Sequence, residues 1–411
     1  MPLLPPARRL FAARAVISLG QGAMGVDFAL YARALGWSPG FLGAVVGGGI
    51  LLGGVLTGAA GPLSDRFGRK PFLLAYLALV ALAAAAGAAS AATAVVVAAA
   101  IIAGFGRGAV GVPGLFGAVQ QAWLADTIET AAPPQGAIGR AFARNAAIGF
   151  FATAAGTFAG GLPPVWRVVL PGALAYRPLF AFAALTTLVS LALLAGVPEP
   201  VRVSHAAAAE QPDAAGTQAR ENRLLWRLAG INALNGVGIG LTAPLLSWWL
   251  AARFGVGPGR IGPAVGCVLV ASGLVTLWAG RLGARYGLVR VVVAMRAVGL
   301  GLQVAMPFAP AFGWAMGAYA VRTVLNRGTV GQRQALVMGA VRGHRRGLAA
   351  SVSGVSVQLP RALGPWLAGL MFGAGWLAGP FLLAAGFQAV YLILYRRVFA
   401  GAEPPRTKPG A

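Results

Sequence analysis

The decapeptide GPLSDRFGRK, residues 61–70, is a strongly charged stretch between two long apolar runs. Its charged residues are Asp65, Arg66, Arg69 and Lys70. Two glycines, Gly61 and Gly68, allow a tight turn, and the basic side chains favour the surface of an anionic lipid leaflet. The stretch therefore predicts a short polar loop that joins two helices at the edge of a membrane.

The composition of the whole chain agrees with a lipid environment. Of 411 residues, 58% are hydrophobic and only 10% are charged, and the mean hydropathy is +0.75. A water-soluble core could not hide this much apolar surface. The net charge of +24 first suggests a nucleic-acid binder. However, the basic residues lie in short clusters between apolar runs, which argues against a nucleic-acid partner and indicates membrane loops.

A membrane-spanning helix needs about 20 apolar residues, and charged or turn-forming interruptions divide this chain into twelve such runs. The sequence therefore predicts an all-α integral membrane protein with twelve transmembrane helices. Their predicted bounds are residues 10–32, 39–60, 72–91, 94–123, 138–161, 175–196, 224–251, 258–280, 289–308, 310–338, 347–372 and 376–398.

A polar stretch in the middle of the chain separates two halves of similar length. We predict an N-terminal six-helix bundle over residues 1–197, a cytoplasmic linker over 198–222 and a C-terminal six-helix bundle over 223–411. With both termini in the cytoplasm, most arginines of the short loops fall on the cytoplasmic side, as the positive-inside rule requires. The first apolar run is not followed by a small-residue cleavage site and is interpreted as the first helix of an inner-membrane protein.

The two halves are also related in sequence. Residues 36–68 and 255–287, which are 219 positions apart, have 13 identities in 33 ungapped positions. The identities include Gly36 with Gly255, Pro39 with Pro258, Gly43 with Gly262, Gly61 with Gly280, Arg66 with Arg285 and Gly68 with Gly287. Glycine richness raises the number of matches, but it does not explain one register over a helix and both flanking loops. The halves are therefore interpreted as copies of one six-helix unit, a common plan among secondary transporters.

The decapeptide resembles the loop signature G-x-L-x-D-R-x-G-R-K of the major facilitator superfamily. Residues 280–287, GRLGARYG, resemble a degenerate second copy with Ala284 in place of the aspartate. The resemblance implies two pseudo-symmetric bundles that work by alternating access. It also implies a latch that holds the halves together on the cytoplasmic side. The latch would consist of Gly61, Asp65, Arg66, Gly68, Arg69 and Lys70, with Asp126 of the fourth helix as partner. The alternative is that these charges only orient the loop.

Asp27, in the first predicted helix, is the only deeply placed carboxylate among the nine acidic residues of the sequence. An ionisable group at bilayer depth is costly unless it is paired or hydrated, so such groups are functional candidates. Asp27 is therefore the predicted proton-coupling or substrate-binding residue. The alternative is a structural ion pair or a polar contact at the cavity wall.

Arginines are more numerous at membrane depth, namely Arg107, Arg322 and Arg361. Arg107 lies in the run GFGRGAVG, residues 104–111, which resembles the fourth-helix arginine motif of the superfamily. The resemblance implies a role in proton coupling beside an acidic side chain. An excess of arginine in a cavity favours an anionic substrate. The alternative is that these side chains snorkel or bind helix carbonyls, and for Arg296 on the ninth helix that alternative is preferred.

Neutral polar side chains at similar depth either line the same cavity or form hydrogen bonds between helices. The candidates are Asn232, Asn235 and Gln358, together with Gln120, Gln121 and Asn145. In the fifth helix, the segment from Gly156 to Gly161 resembles the glycine motif of the drug:proton antiporter branch. Thr157 replaces the proline of that motif, which weakens assignment to the branch.

The predicted activity is secondary active transport. Proton-coupled efflux of a small organic compound is the first hypothesis, and uptake or exchange of an organic anion is the alternative. A single cysteine, Cys267, and two histidines argue against a disulfide or a metal centre, so no metal or cofactor is predicted. No clustered acid, base and nucleophile suggest an enzyme. The expected partners are the substrate, protons and the lipid bilayer, and the protein is expected to be a monomer.

Overall fold

The computed structural model describes residues 5–107, 114–129, 137–199, 217–286, 288–329 and 346–399, and these residues form helices joined by short turns. The α-helices are α1 (Pro5–Ala34), α2 (Pro39–Phe67), α3 (Arg69–Ala89), α4 (Thr93–Ala103), α5 (Gly114–Glu129), α6 (Ala137–Ala159), α7 (Pro163–Trp166), α8 (Arg177–Ala195), α9 (Thr217–Thr242), α10 (Leu246–Phe254), α11 (Pro258–Tyr286), α12 (Leu288–Ala305), α13 (Phe312–Gly328), α14 (Arg346–Arg361), α15 (Leu363–Gly373) and α16 (Gly379–Phe399). Short 3-10 helices span Gly172–Tyr176 and Met306–Phe308. The expected all-α fold is confirmed.

Nine helical stretches of the described chain are long and apolar enough to cross a membrane. The remaining crossings come from α4 followed by α5, from the 17-residue α13, and from α14 followed by α15. Together these elements make the twelve predicted crossings, in the predicted order. Because the chain direction alternates, α1 begins and α16 ends on the same side of the membrane. We call this side the terminal side and the opposite one the distal side.

The predicted fourth, seventh and eleventh helices are each two helices. The fourth is interrupted at Ala103, because Gly104 adopts the left-handed conformation (φ 68°) at the end of α4. The other two are interrupted close to Pro244 and Pro360, where proline lacks the N–H donor that a helix needs. In addition, α9 begins at Thr217, inside the predicted linker. The extent of apolar sequence alone does not reveal these interruptions.

The two halves repeat one arrangement of helices. α2 begins at Pro39 and α11 at Pro258, and they end at Phe67 and Tyr286, so the offset of 219 positions in the sequence is also the structural offset. In the N-terminal half α1 packs against α6 and α8, and α3 against α4 and α8. In the C-terminal half α9 packs against α14 and α16, and α12 against α13 and α16. The pseudo-symmetry expected from the duplicated sequence is confirmed.

The outer surface of the bundle is apolar. Large hydrophobic side chains are exposed on it, for example Leu82 (69%), Phe308 (64%) and Trp314 (72%). Such a surface would favour aggregation in water, whereas helices, whose backbone hydrogen bonds are internal, are stable when exposed to hydrocarbon. The protein is therefore a multi-pass membrane protein.

The halves meet along two pairs of helices, α2 with α15 and α6 with α11. In the first pair, a methyl group built on Gly43 would overlap the carbonyl oxygen of Pro365. In the second pair, a methyl group built on Gly262 would lie 2.6 Å from the carbonyl oxygen of Thr157. Backbone contacts backbone at both places, as in membrane helices that associate through small residues.

Both contacts between the halves become looser toward the terminal side. Along α2, a methyl group on Gly47 would lie 2.6 Å from the carbonyl oxygen of Ala362, whereas one on Gly58 would lie 3.7 Å from the nearest atom of α14. Along α11, a methyl group on Gly262 would lie 2.6 Å from the carbonyl oxygen of Thr157, whereas one on Gly273 would lie 3.3 Å from the ring of Phe151, both on α6. The two halves are therefore packed most tightly on the distal side.

We expect Gly43→Ala to lower the apparent melting temperature of the detergent-purified protein, because the new methyl group would separate α2 from α15. Overpacking of this kind costs about 1–3 kcal/mol. Gly58→Ala is the matched control, since its methyl group would make an ordinary 3.7 Å contact on the same helix. Thermal unfolding of both variants checks the prediction, and equal melting temperatures would contradict the backbone contact at Gly43.

Candidate functional site

Two arginines, one from each half, meet in the interior of the bundle. Arg361, at the end of α14, donates a hydrogen bond from Nη2 to the backbone oxygen of Arg107, at 2.8 Å. Arg107 in turn donates from Nη2 to the backbone oxygen of Gly49 on α2, at 2.9 Å. These two bonds connect α2, the segment after α4 and α14 across the boundary between the halves.

The local sequence explains why Arg107 reaches this position. α4 ends at Ala103 and the backbone then turns through Gly104, so the carbonyl group of Arg107 lies beyond the helix and accepts from Arg361. Gly53 on α2 leaves room for the guanidinium, because a methyl group built there would lie 2.9 Å from both Nη atoms of Arg107. A larger residue at position 53 would displace this side chain.

A further arginine lies at the same cleft. Arg327 on α13 stacks on Phe150 of α6, with its Cζ 4.8 Å from the ring centre, and so contacts the opposite half. The cleft between the halves therefore concentrates positive charge.

Asp27, on α1, is fully buried. Within the described ranges, neither carboxylate oxygen has a hydrogen-bond donor and no arginine is at ion-pair distance. A methyl group built on Gly160 would overlap Oδ2 of Asp27, so the carboxylate lies directly against the backbone just beyond α6. The segment from Gly156 to Gly161, which resembles an antiporter motif, thus contacts Asp27 through Gly160.

Asn232 and Gln358, two of the neutral polar candidates in the C-terminal half, have different surroundings. Asn232 donates to Ser353 and Ser356 of α14, at 3.2 and 3.4 Å, and so binds within its own half. Gln358 lies at the boundary between the halves, because a methyl group on Gly54 of α2 would lie 3.6 Å from its Cβ. Gln358 is therefore placed to reach the cleft, whereas Asn232 is engaged in packing α9 on α14.

The third, Asn235, belongs to a buried network around Arg296. Nη1 of Arg296 donates to Oδ1 of Asn235 at 2.9 Å and to Oε1 of Gln388 at 3.2 Å. Its Nε donates to the hydroxyl oxygen of Thr329 at 3.4 Å, and its Cζ lies 4.7 Å from the ring centre of Tyr391. These contacts join α9, α12 and α16, in line with the preference for a packing role of Arg296.

Other candidates also bind within one half. Arg322 donates from Nε to Gln303 at 2.9 Å, and Gln303 donates to the backbone oxygen of Phe381 at 3.1 Å. The structure therefore does not bring Arg322 to the pair formed by the other two predicted arginines. In the N-terminal half, the amide of Asn145 donates to Gln120 at 2.9 Å and accepts from it at 3.1 Å. These bonds hold helices together.

The charged decapeptide is tied to the N-terminal half. The decapeptide is not the predicted loop, because α2 continues to Phe67 and α3 begins at Arg69. Only Gly68 separates the two helices, and its φ of 93° favours glycine. The carboxylate of Glu199 accepts the backbone N–H groups of Arg69 at 2.8 Å and of Lys70 at 3.1 Å, where the helix dipole favours negative charge. The side chain of Arg69 forms an ion pair with Asp126 at the end of α5.

The remaining members of the predicted latch are less constrained. Arg66 is exposed, and its Cζ lies 5.5 Å from the ring centre of Phe67. The surroundings of Gly61 and Asp65, and those of the second copy over 280–287, lie outside what the structure describes. The contacts at Arg69 given above join α3 to α5 and to the chain directly after α8, and none of them reaches the C-terminal half.

The sequence matches the model of a protein family, and the fold matches solved structures. The model of the Major Facilitator Superfamily matches residues 10–233 and 228–411, nearly the whole chain. The chain belongs to the major facilitator superfamily. Members of this superfamily are transporters, not enzymes. No curated protein sequence matches the chain significantly.

Solved transporter structures have the same fold at low sequence identity. One is a bacterial homolog of the human lysosomal transporter Spinster in an inward-facing, unoccupied conformation (TM-score 0.73, 14% identity, 98% of each chain). A second is a D-xylose-proton symporter (TM-score 0.72, 15% identity, 98% of each chain). A third is the human organic anion transporter MFSD10 (TM-score 0.58, 18% identity, 95% of this chain and 100% of that one). At these identities the likeness shows the fold alone.

Sequence reasoning on this superfamily member missed three residues that the structure places at informative positions. Glu199 falls in the predicted linker, yet it caps α3 from 130 residues away. Arg14 is near the start of the first apolar run, where a basic residue is typical of a loop, yet its guanidinium lies between α1, α5 and α6 beside Gly117 and Gly149. Gln388 is a lone amide in an apolar run, yet it is part of the Arg296 network. Proximity in space, which the sequence does not encode directly, distinguishes them.

We expect Glu199→Gln to expose the start of α3, because the neutral amide is a weaker acceptor for two backbone N–H groups at a helix N-terminus. A loss of about 1.4 kcal/mol would correspond to about tenfold faster hydrogen exchange at the amides of Arg69 and Lys70. Glu403→Gln, the same change near the C-terminus, is the control. Unchanged exchange in Glu199→Gln would mean that this carboxylate does not stabilise the helix start.

Proposed function

We propose that this protein is a secondary active transporter that moves a small organic anion by alternating access and uses Asp27 to couple transport to protons. The observation that carries the proposal is the direct contact of Arg361 with Arg107, one from each half of the bundle. A ligand bound between these arginines would contact both halves at once, as alternating access requires.

The charge of the cleft supports an anionic substrate. Arg107 and Arg361 bind backbone carbonyl groups here, and neutral acceptors do not cancel a buried positive charge. The Nε atoms of Arg107 and Arg361 are buried and have no hydrogen-bond acceptor within the described part of the chain. A carboxylate or phosphate group would supply both the acceptor and the opposite charge, in the planar geometry that a guanidinium favours.

The environment of Asp27 supports proton coupling. A fully buried carboxylate without a cation or donor is much more stable when it is protonated. Separation of α6 from α11 on the distal side would admit water beside Asp27 and release the proton, because Gly160 lies directly against the carboxylate and the adjacent Gly161 packs on Pro263 of α11. The conformational change and the protonation state are thereby linked.

Different observations favour efflux and uptake as the direction of transport. The position of Asp27 beside the glycine segment of α6, which resembles an antiporter motif, favours proton-coupled efflux of a small organic compound. The similar folds include a D-xylose-proton symporter and an organic anion transporter, which favour uptake or exchange. We place the protein as a monomer in the inner membrane with the terminal side in the cytoplasm, so that the tighter distal contacts close the outer side.

The anion site is tested first by ligand binding. We expect organic mono- and dianions, but not their neutral esters or amides, to raise the melting temperature of the purified protein. Arg107→Gln and Arg361→Gln should each weaken binding of the best anion about 10-fold to 100-fold, since a charged hydrogen bond is worth about 1.5–3 kcal/mol. Arg253→Gln, exposed on the distal side, is the control. Preferential binding of neutral compounds, or unchanged affinity in Arg361→Gln, would refute the anion site.

The proton step is tested in reconstituted vesicles with the same anion. We expect Asp27→Asn to abolish accumulation driven by an imposed pH gradient while exchange of labelled for unlabelled substrate continues, because the amide cannot change protonation. Glu221→Gln, a buried carboxylate at the start of α9, is the matched control and should retain gradient-driven transport. Full gradient-driven transport by Asp27→Asn would remove Asp27 from the mechanism.

A further inference from the structure

Three helix ends meet on the terminal side of the C-terminal half: the start of α9, the start of α12 and the end of α16. Their inner faces form a small apolar cluster that is separate from the main core. Its buried members are Leu225, Leu228, Ile231, Val289, Val292, Tyr391, Leu392 and Tyr395. The three ends therefore form one packed unit with a defined outer surface.

The outer surface of this unit is strongly basic. It carries five exposed arginines, which are Arg223, Arg227, Arg290, Arg396 and Arg397. Each lies within the first or last two turns of a stretch that is long enough to cross the membrane. The ends of such stretches lie at the boundary between hydrocarbon and water. We call these five residues the basic collar.

Two further features fit a lipid headgroup layer. Trp226, which is 79% exposed, stands between Arg223 and Arg227 on α9, and indole rings favour the interface between hydrocarbon and water. Among the described residues of α9, α12 and α16, the one carboxylate is Glu221, and it is buried. No exposed acid on these three helices therefore offsets the basic collar.

We infer that the basic collar is a binding site for anionic phospholipids, whose headgroup phosphates accept hydrogen bonds from its guanidinium groups while Trp226 packs at the level of the glycerol backbone. Guanidinium groups bind phosphate oxygens in a planar, bidentate geometry. Each arginine near an anionic surface contributes about a fivefold increase in binding. The site is distinct from the cleft, and it would fix the C-terminal half in the leaflet on the terminal side.

The test uses the purified full-length protein in a neutral detergent. Phosphatidylglycerol or phosphatidylcholine is titrated in, and retained lipid is measured by native mass spectrometry. We expect phosphatidylglycerol to bind at least about tenfold more tightly than phosphatidylcholine, with a preference that falls as salt rises. The triple variant Arg290→Gln, Arg396→Gln, Arg397→Gln should lose at least about tenfold of the phosphatidylglycerol affinity and keep its weak affinity for phosphatidylcholine.

Two comparisons separate the basic collar from net charge and from misfolding. The triple variant Arg167→Gln, Arg253→Gln, Arg260→Gln removes the same charge from exposed distal positions and should bind phosphatidylglycerol like the wild type. The corresponding triple change to lysine in the basic collar should restore most of the binding, because the charge remains. Soluble glycerol 3-phosphate should not compete.

Three outcomes would overturn the proposal. The first is equal binding of the two lipids by the wild type. The second is an equal loss in both glutamine variants. The third is undiminished phosphatidylglycerol binding by the basic-collar variant with a monodisperse gel-filtration profile. If that variant does not fold, the single changes Arg396→Gln and Arg397→Gln at the end of α16 apply the same criterion.

Discussion

The close backbone approach of α2 to α15, and of α6 to α11, determines how the two halves stand relative to each other. Lipid gives membrane helices no hydrophobic reason to associate, so packing has to hold them together. Gly43 and Gly262 provide this packing, because each leaves room for a backbone carbonyl group of the opposite half to approach closely. Since both contacts loosen toward the terminal side, the halves form a wedge that is closed distally. The same arrangement brings Arg361 to the backbone of Arg107.

Four buried arginines of the described chain fall into two groups, which depth in the membrane does not separate. Arg296 and Arg322 donate to side-chain oxygens of their own half, and their partners donate onward. These networks satisfy polar groups within a packed bundle. Arg107 and Arg361 instead bind backbone carbonyl groups at the boundary between the halves and keep a buried Nε without an acceptor in the described residues. The second pattern is the one that favours a ligand.

Much of the fold could be predicted from the sequence, because apolar runs and a repeated register are one-dimensional signals. The shared offset of Pro39 and Pro258 is an example, since it marks the start of α2 and of α11. The site was predictable only in part. The position within an apolar run identified Arg322 as readily as Arg361. Which group each arginine binds depends on the helix that faces its side chain. The cap formed by Glu199 depends on contact between chain segments that are 130 residues apart, which no local pattern contains.

The charged decapeptide is on the side where the halves would have to come together when the distal side opens, as alternating access requires. Opening the distal side would break the backbone contacts of Gly43 and Gly262, so new contacts on the terminal side have to offset that loss. Arg69 is already engaged by Asp126, and the start of α3 by Glu199. These groups stabilise both states alike unless they exchange partners. Arg66 is exposed at the end of α2, so a new contact there would favour the distally open state without first breaking an ion pair to Asp126.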